Sequence, residues 1–205
     1  MPINTKEFRY DINALRALAV LGVVLFHYKV PYFQGGFSGV DIFFVISGYL
    51  MTRIIIRGLA KGNFSVIEFY SRRVKRILPG LLFLILCLTV INFFLYLPVD
   101  YSDFVKNAAA SAVFYSNILY YKSDYFDASS ENNMLLHTWS LSVEWQFYLI
   151  LPLVLMLVNR FLKNDRRGYL AVFLIAAVLI FVGSLFATDY RPNASFYWCQ
   201  RGAGK

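Results

Sequence analysis

Residues 12–28, INALRALAVLGVVLFHY, form an apolar run long enough to approach the length of a membrane helix, yet they carry Arg16 and His27. Eleven positions separate the two. At 100° per residue this is three turns plus about 20°, so both project from one face, roughly 16 Å apart along the axis. An ionisable group inside a span costs a few kcal/mol on insertion scales, which makes it a functional candidate by default. The plainer reading is that Arg16 snorkels to the cytoplasmic interface and His27 reaches the outer headgroups.

Composition places the whole chain in the same class. Apolar residues make up 59% of the 205 and charged residues 16%, with 20 phenylalanines and 15 tyrosines suited to lipid contact and interfacial belts. This excludes a soluble domain with a large core. The net charge of +8 would suggest nucleic acid in a soluble chain. Here the basic residues gather between apolar runs, so topology explains them and no nucleic-acid partner is expected. Cys87 and Cys199 supply no disulfide framework. Lys6, Glu7, Arg9 and Asp11 make a mixed-charge leader without a small-residue cleavage site, so no cleaved signal peptide is expected.

Five segments read as spans: Ile12–Val30, Gly39–Ile56, Leu78–Leu97, Leu141–Val158 and Tyr169–Ala187. A sixth, Val105–Tyr121, is diluted by Lys106, Asn107, Ser111, Ser116 and Asn117. The positive-inside rule arbitrates. Arg57, Lys61, Arg72, Arg73, Lys75 and Arg76 follow the second span, and Arg160, Lys163, Arg166 and Arg167 follow the fourth. Both groups face the cytoplasm only if Val105–Tyr121 does not cross. It then becomes a re-entrant or interfacial helix. The N-terminus lies inside, and Pro98–Thr138, with Asp100, Asp103, Asp124, Asp127 and Glu131, lies outside.

Three further stretches hold candidate chemistry. Gly35-Gly36-Phe37-Ser38-Gly39-Val40-Asp41 leads into the second span. Its glycines permit a tight turn and close backbone approach. Asp41, expected at the level of His27, either orients the imidazole or caps its own helix. Ser47, Gly48 and Tyr49 read as helix-packing residues. The basic run Arg72–Arg76 is either a topology signal on anionic lipid or an Arg-x-x-Arg clamp, Arg73 and Arg76, for a phosphate-rich ligand such as coenzyme A. At the start of the fourth span, Ser140, Glu144 and Tyr148 share one helical face. A lipid-facing Glu144 would be costly, so it needs partners. His27, Asp41 and Glu144 are thus expected at an outer level and the Arg pair at the cytoplasmic one, a layout for transfer between a cytoplasmic donor and an outer acceptor.

Taken together, Arg16-x10-His27, GGFSGVDIFFVISGYLMT, RRVKRILP and HTWSLSVEWQFYLILP occur in the order found in the acyltransferase-3 family of integral membrane acyltransferases. The chain resembles that family to about Tyr197. The resemblance implies an all-α polytopic transmembrane bundle of about ten spans, five of them here. It also implies transfer of an acyl group, often acetyl, from acyl-coenzyme A to a hydroxyl of a surface polysaccharide, peptidoglycan or other glycan. Arg73 and Arg76 match the family's donor-binding motif, His27 its catalytic histidine and Arg16 the partner. Acyl transfer needs a base as the hydroxyl attacks the thioester carbonyl, and a neutral histidine serves near neutral pH. Asp41 or Glu144 would orient it or balance the imidazolium, and Arg16 would stabilise negative charge. No serine or cysteine nucleophile is placed convincingly, so direct transfer is favoured. No metal and no tightly bound cofactor is expected, with acetyl-CoA or another acyl-CoA as donor substrate.

Residues 198–205, WCQRGAGK, depart from the family. Members continue with a Pro-x-Arg-x-Trp-Glu-like run, which another reading frame of possible codons permits. Residues 1–197 are therefore read as the N-terminal part of an acyltransferase domain and 198–205 as an aberrant, frameshifted tail. The expected protein is a multi-pass component of the bacterial inner membrane, in contact with bilayer, acyl-CoA and a carbohydrate acceptor. Its rivals are an inactive fragment and a transporter using Arg16 and His27 as a proton relay.

Overall fold

The computed structural model describes residues 10–122, 133–162 and 165–190, and every regular element among them is helical. Seven α-helices are described: α1 Tyr10–His27, α2 Gly39–Ala60, α3 Val66–Leu95, α4 Pro98–Ala112, α5 Ser116–Lys122, α6 Thr138–Leu162 and α7 Arg166–Tyr190. Residues α1, Gly36–Ala60, α3 and α6 are long and apolar enough to cross a membrane, and Arg167–Gly183 of α7 adds a shorter apolar helix. The acidic residues Asp124, Asp127 and Glu131 and the tail 198–205 lie outside the described residues. The chain forms two compact units, Met1–Arg53 and Ile54–Lys205.

In the first unit α1 stops at His27, three residues before the expected end of its span. Lys29 takes a left-handed backbone, φ 53°, and the amide of Val30 returns to the carbonyl of Leu25. This is the backbone reversal that usually ends a helix on glycine. A 3-10 turn, Gly36–Ser38, then delivers the chain into α2. Two glycines explain how closely it passes α1. A Cβ on Gly36 would collide with the carbonyl oxygen of Gly22, and one on Gly39 with that of Ala19. Hydrogen at these positions is a steric requirement.

The second unit opens with α3, twelve residues earlier than the apolar pattern alone marks it. Ser65 accepts a hydrogen bond from the Glu68 amide at 3.3 Å, the N-terminal half of a Ser-x-x-Glu cap. The basic run is therefore helical rather than loop. The ambiguous Val105–Tyr121 stretch divides into α4 and α5, each too short to cross, with Phe114 at φ 56° between them. This agrees with a non-crossing segment. Ser111, Ser116 and Asn117 turn inward against α6, while Lys106 stays on the surface paired with Asp103. Ser111 bonds Thr138 at 2.7 Å, Thr138 bonds Ser116, and Ser116 bonds Ser142 at 2.8 Å. Asn117 and Gln146 exchange two side-chain bonds, and Gln146 also donates to the Phe114 carbonyl at 3.0 Å. Apolar packing flanks this seam: Phe104, Ala108 and Leu135 on one side, Tyr120 and Trp139 on the other. Asp165 accepts from the amides of Arg167 and Gly168 and caps α7.

Candidate functional site

The candidate residues fall into one group in each unit. In the first, Arg16 and His27 lie on α1 as their spacing requires. Arg16 is half-buried and its guanidinium rests 4.7 Å from the centre of the Phe43 ring. No ion pair joins it to Asp41. His27 is the last residue of α1 and exposed, with its ring edge-on to Phe26 at 5.4 Å. Its Nδ1 lies 2.8 Å from the Val23 carbonyl oxygen. A carbonyl only accepts, so Nδ1 carries the hydrogen, and in the neutral ring Nε2 bears the basic lone pair.

Asp41 is placed by its neighbours on α2. Gly39 meets Ala19 and Phe43 meets Arg16, so the level of Asp41 on α1 is that of Arg16 to Ala19, roughly 12–16 Å along the axis from His27. Gly39 and Phe43 also mark the face of α2 that meets α1. Two residues from each, Asp41 stands about 200° around the helix, on the far face. It lies in the first turn of α2, where a carboxylate favours the helix dipole. His27 Nδ1 finds one hydrogen-bond acceptor on its own helix.

In the second group Arg73 of α3 meets Tyr148, one turn after Glu144 on α6. Arg73 of the basic run is half-buried, its guanidinium 5.6 Å from the Phe69 ring and 5.9 Å from that of Tyr148 on α6. The hydroxyl of Tyr148 donates to Oε1 of Glu144, and both residues are buried. One turn away, the Tyr70 hydroxyl donates to the Leu149 carbonyl at 2.8 Å and ties the same stretches of α3 and α6 together. Arg76 is exposed. Arg72 is engaged with Glu68 at 2.5 Å on the surface. The Arg-x-x-Arg motif is thus asymmetric, one member turned into aromatic packing and the other outward.

Three rings that handle these arginines carry little signal in sequence. Tyr148 is flagged by its four-residue spacing from Glu144, and Phe69 stands four before Arg73. Phe43 is one apolar residue among many, and only the close approach of α2 to α1 identifies it.

Known proteins extend these observations. The chain is 40% identical over 177 residues to O-acetyltransferase OatA of Staphylococcus aureus, covering 83% of this chain and 29% of the relative. It is 33% identical over 199 residues to peptidoglycan O-acetyltransferase OatA of Listeria monocytogenes, 94% of this chain and 32% of that one. An uncharacterised protein of Haemophilus influenzae is 38% identical over 158 residues, 77% of this chain and 62% of the relative. The chain therefore spans less than a third of the length of the OatA relatives. No solved structure matches it significantly. A family model described as the acyltransferase domain, Acyl_transf_3, matches residues 9–200, and on that match the chain belongs to the acyltransferase-3 family.

Proposed function

We propose that the chain is the N-terminal part of a membrane O-acyltransferase that moves an acyl group, acetyl by analogy with its relatives, from acyl-coenzyme A to a glycan hydroxyl. The observation that carries this reading is the 40% identity to an O-acetyltransferase over 83% of this chain. The residues suit the chemistry. Nε2 of His27 accepts the hydroxyl proton as the acceptor oxygen bonds to the acyl carbon. The carbon–sulfur bond then breaks, and the proton passes to the departing thiolate. Arg16 carries positive charge at membrane depth on a ring face, suited to the oxyanion that develops. Arg73 and Arg76 offer the diphosphate and 3′-phosphate of the donor two guanidinium groups one turn apart. The acceptor is a cell-surface polysaccharide, with peptidoglycan the first to assay, and the protein resides in the bacterial inner membrane with its N-terminus in the cytoplasm.

Coenzyme A binding to the purified chain in nanodiscs tests the donor side. Arg73→Ala or Arg76→Ala is expected to weaken it roughly ten- to a hundredfold, the cost of a lost charge-assisted contact, while Arg72→Ala matters less. Equal affinity in the double variant refutes the clamp and leaves a lipid-directed charge run. Acetyl transfer to peptidoglycan fragments, assayed with the chain alone and joined to the remainder of a relative, tests the reaction.

A further inference from the structure

We propose that Glu144 and Tyr148 are positioning residues for Arg73. The inference rests on the donor-binding reading of Arg73 given above, and it goes beyond it by assigning Glu144 a place in donor binding.

The geometry leads there in three steps. Glu144 is buried on a membrane helix, where a carboxylate requires a hydrogen-bond donor, and the Tyr148 hydroxyl one turn later supplies it. That bond fixes the phenol ring. The buried ring in turn offers its face to the Arg73 guanidinium at 5.9 Å, while Phe69, on the same helix as Arg73, offers a second face at 5.6 Å. Ring faces attract a guanidinium and fix its plane while using none of its N–H groups; the Arg73 Nε is itself buried, so a ligand would meet the terminal Nη groups. An arginine so held is an ordered cation one turn from the exposed Arg76. Orientation is what distinguishes a phosphate clamp from a basic surface, because two N–H groups must reach two oxygens together. The Tyr70 bond to the Leu149 carbonyl holds α3 and α6 in the register this contact needs. Glu144 therefore acts on donor binding at two removes, through Tyr148 and then Arg73.

A hydrogen-bond acceptor at 144 is the requirement, so the conservative substitution separates this role from catalysis. The chain in nanodiscs is labelled at arginine side chains, and the Arg73 Nε–H resonance, assigned with Arg73→Lys, is followed beside coenzyme A affinity. In Glu144→Gln the resonance keeps its ring-current shift and affinity stays within about threefold of the parent. In Glu144→Ala and in Tyr148→Phe the resonance moves, and coenzyme A binds about five- to thirtyfold more weakly. In an Arg73→Ala background Glu144→Ala costs no further affinity. Circular dichroism and insertion of the near-isosteric Gln and Phe variants match the parent.

Two results overturn the proposal: an Arg73 resonance unmoved by Glu144→Ala and Tyr148→Phe, or an effect of Glu144→Ala that persists undiminished without Arg73. If coenzyme A does not bind the parent chain at all, the donor reading fails. The resonance alone then decides the positioning role, so the two failures are distinguishable.

Discussion

Arg16 sits on the Phe43 ring face in the absence of a carboxylate partner among the described residues, and that choice of neighbour sets its cost and its use. A ring compensates part of the desolvation and leaves the net charge intact. Phe43→Leu should destabilise the protein by about 0.5–2 kcal/mol and Phe43→Tyr by much less. The penalty should shrink in an Arg16→Met background, read by unfolding of the four variants in detergent, because the cycle isolates the pair. At His27 the measurement is chemical. In a chain completed to family length, His27→Ala should insert normally yet transfer roughly 10²–10⁴-fold more slowly, the usual contribution of a general base. His137, also exposed, should tolerate alanine. Equal transfer by the His27→Ala and parent proteins would assign the base elsewhere.

Among elements, the hairpin of α1 and α2 depends on backbone contact at Gly36 and Gly39. Gly36→Ala or Gly39→Ala must push the helices apart and should cost about 1–3 kcal/mol, as overpacking does. Gly35 and Gly80 meet nothing within 4 Å at the added carbon, so alanine there should be neutral or, within α3 at Gly80, stabilising. Unfolding midpoints of the four variants check this ordering. The α4–α5 segment is held by polar groups instead. Gln146→Leu strands the Phe114 carbonyl and the Asn117 amide, a loss of about 1–3 kcal/mol. Hydrogen exchange should report it as faster opening of α5, with α3 unchanged.

For the molecule as a whole the open quantity is orientation. From the charge asymmetry we expect the link from α2 to α3 on the cytoplasmic side and the start of α4 outside. In a background lacking Cys87 and Cys199, a cysteine at the exposed Asp100 should react with an impermeant maleimide added to intact cells, and one at Lys61 should not. Reaction at Lys61 would invert the topology. The large apolar side chains left exposed along α3 and α7, such as Phe83, Phe94, Leu179 and Phe181, match a lipid environment.

Hydrophobic run length and charge placement sufficed for an all-helical membrane protein, for the positions of its apolar cores and for the shared face of Arg16 and His27. Those are properties of one helix at a time, fixed by a 100° step and by the cost of polar groups in lipid. Four ordered motifs likewise sufficed for the family. Helix ends were less legible: a left-handed Lys29 stops α1 early, and a serine cap starts α3 early enough to draw the basic run into it. Pair relations between different helices were not legible. Glycine contacts set the register that places Asp41 on the far face of α2, away from His27. Packing of α3 on α6 brings Arg73 to the ring of Tyr148, whose hydroxyl is bonded to Glu144. Both depend on distances between side chains on different helices, and only packing in three dimensions determines them.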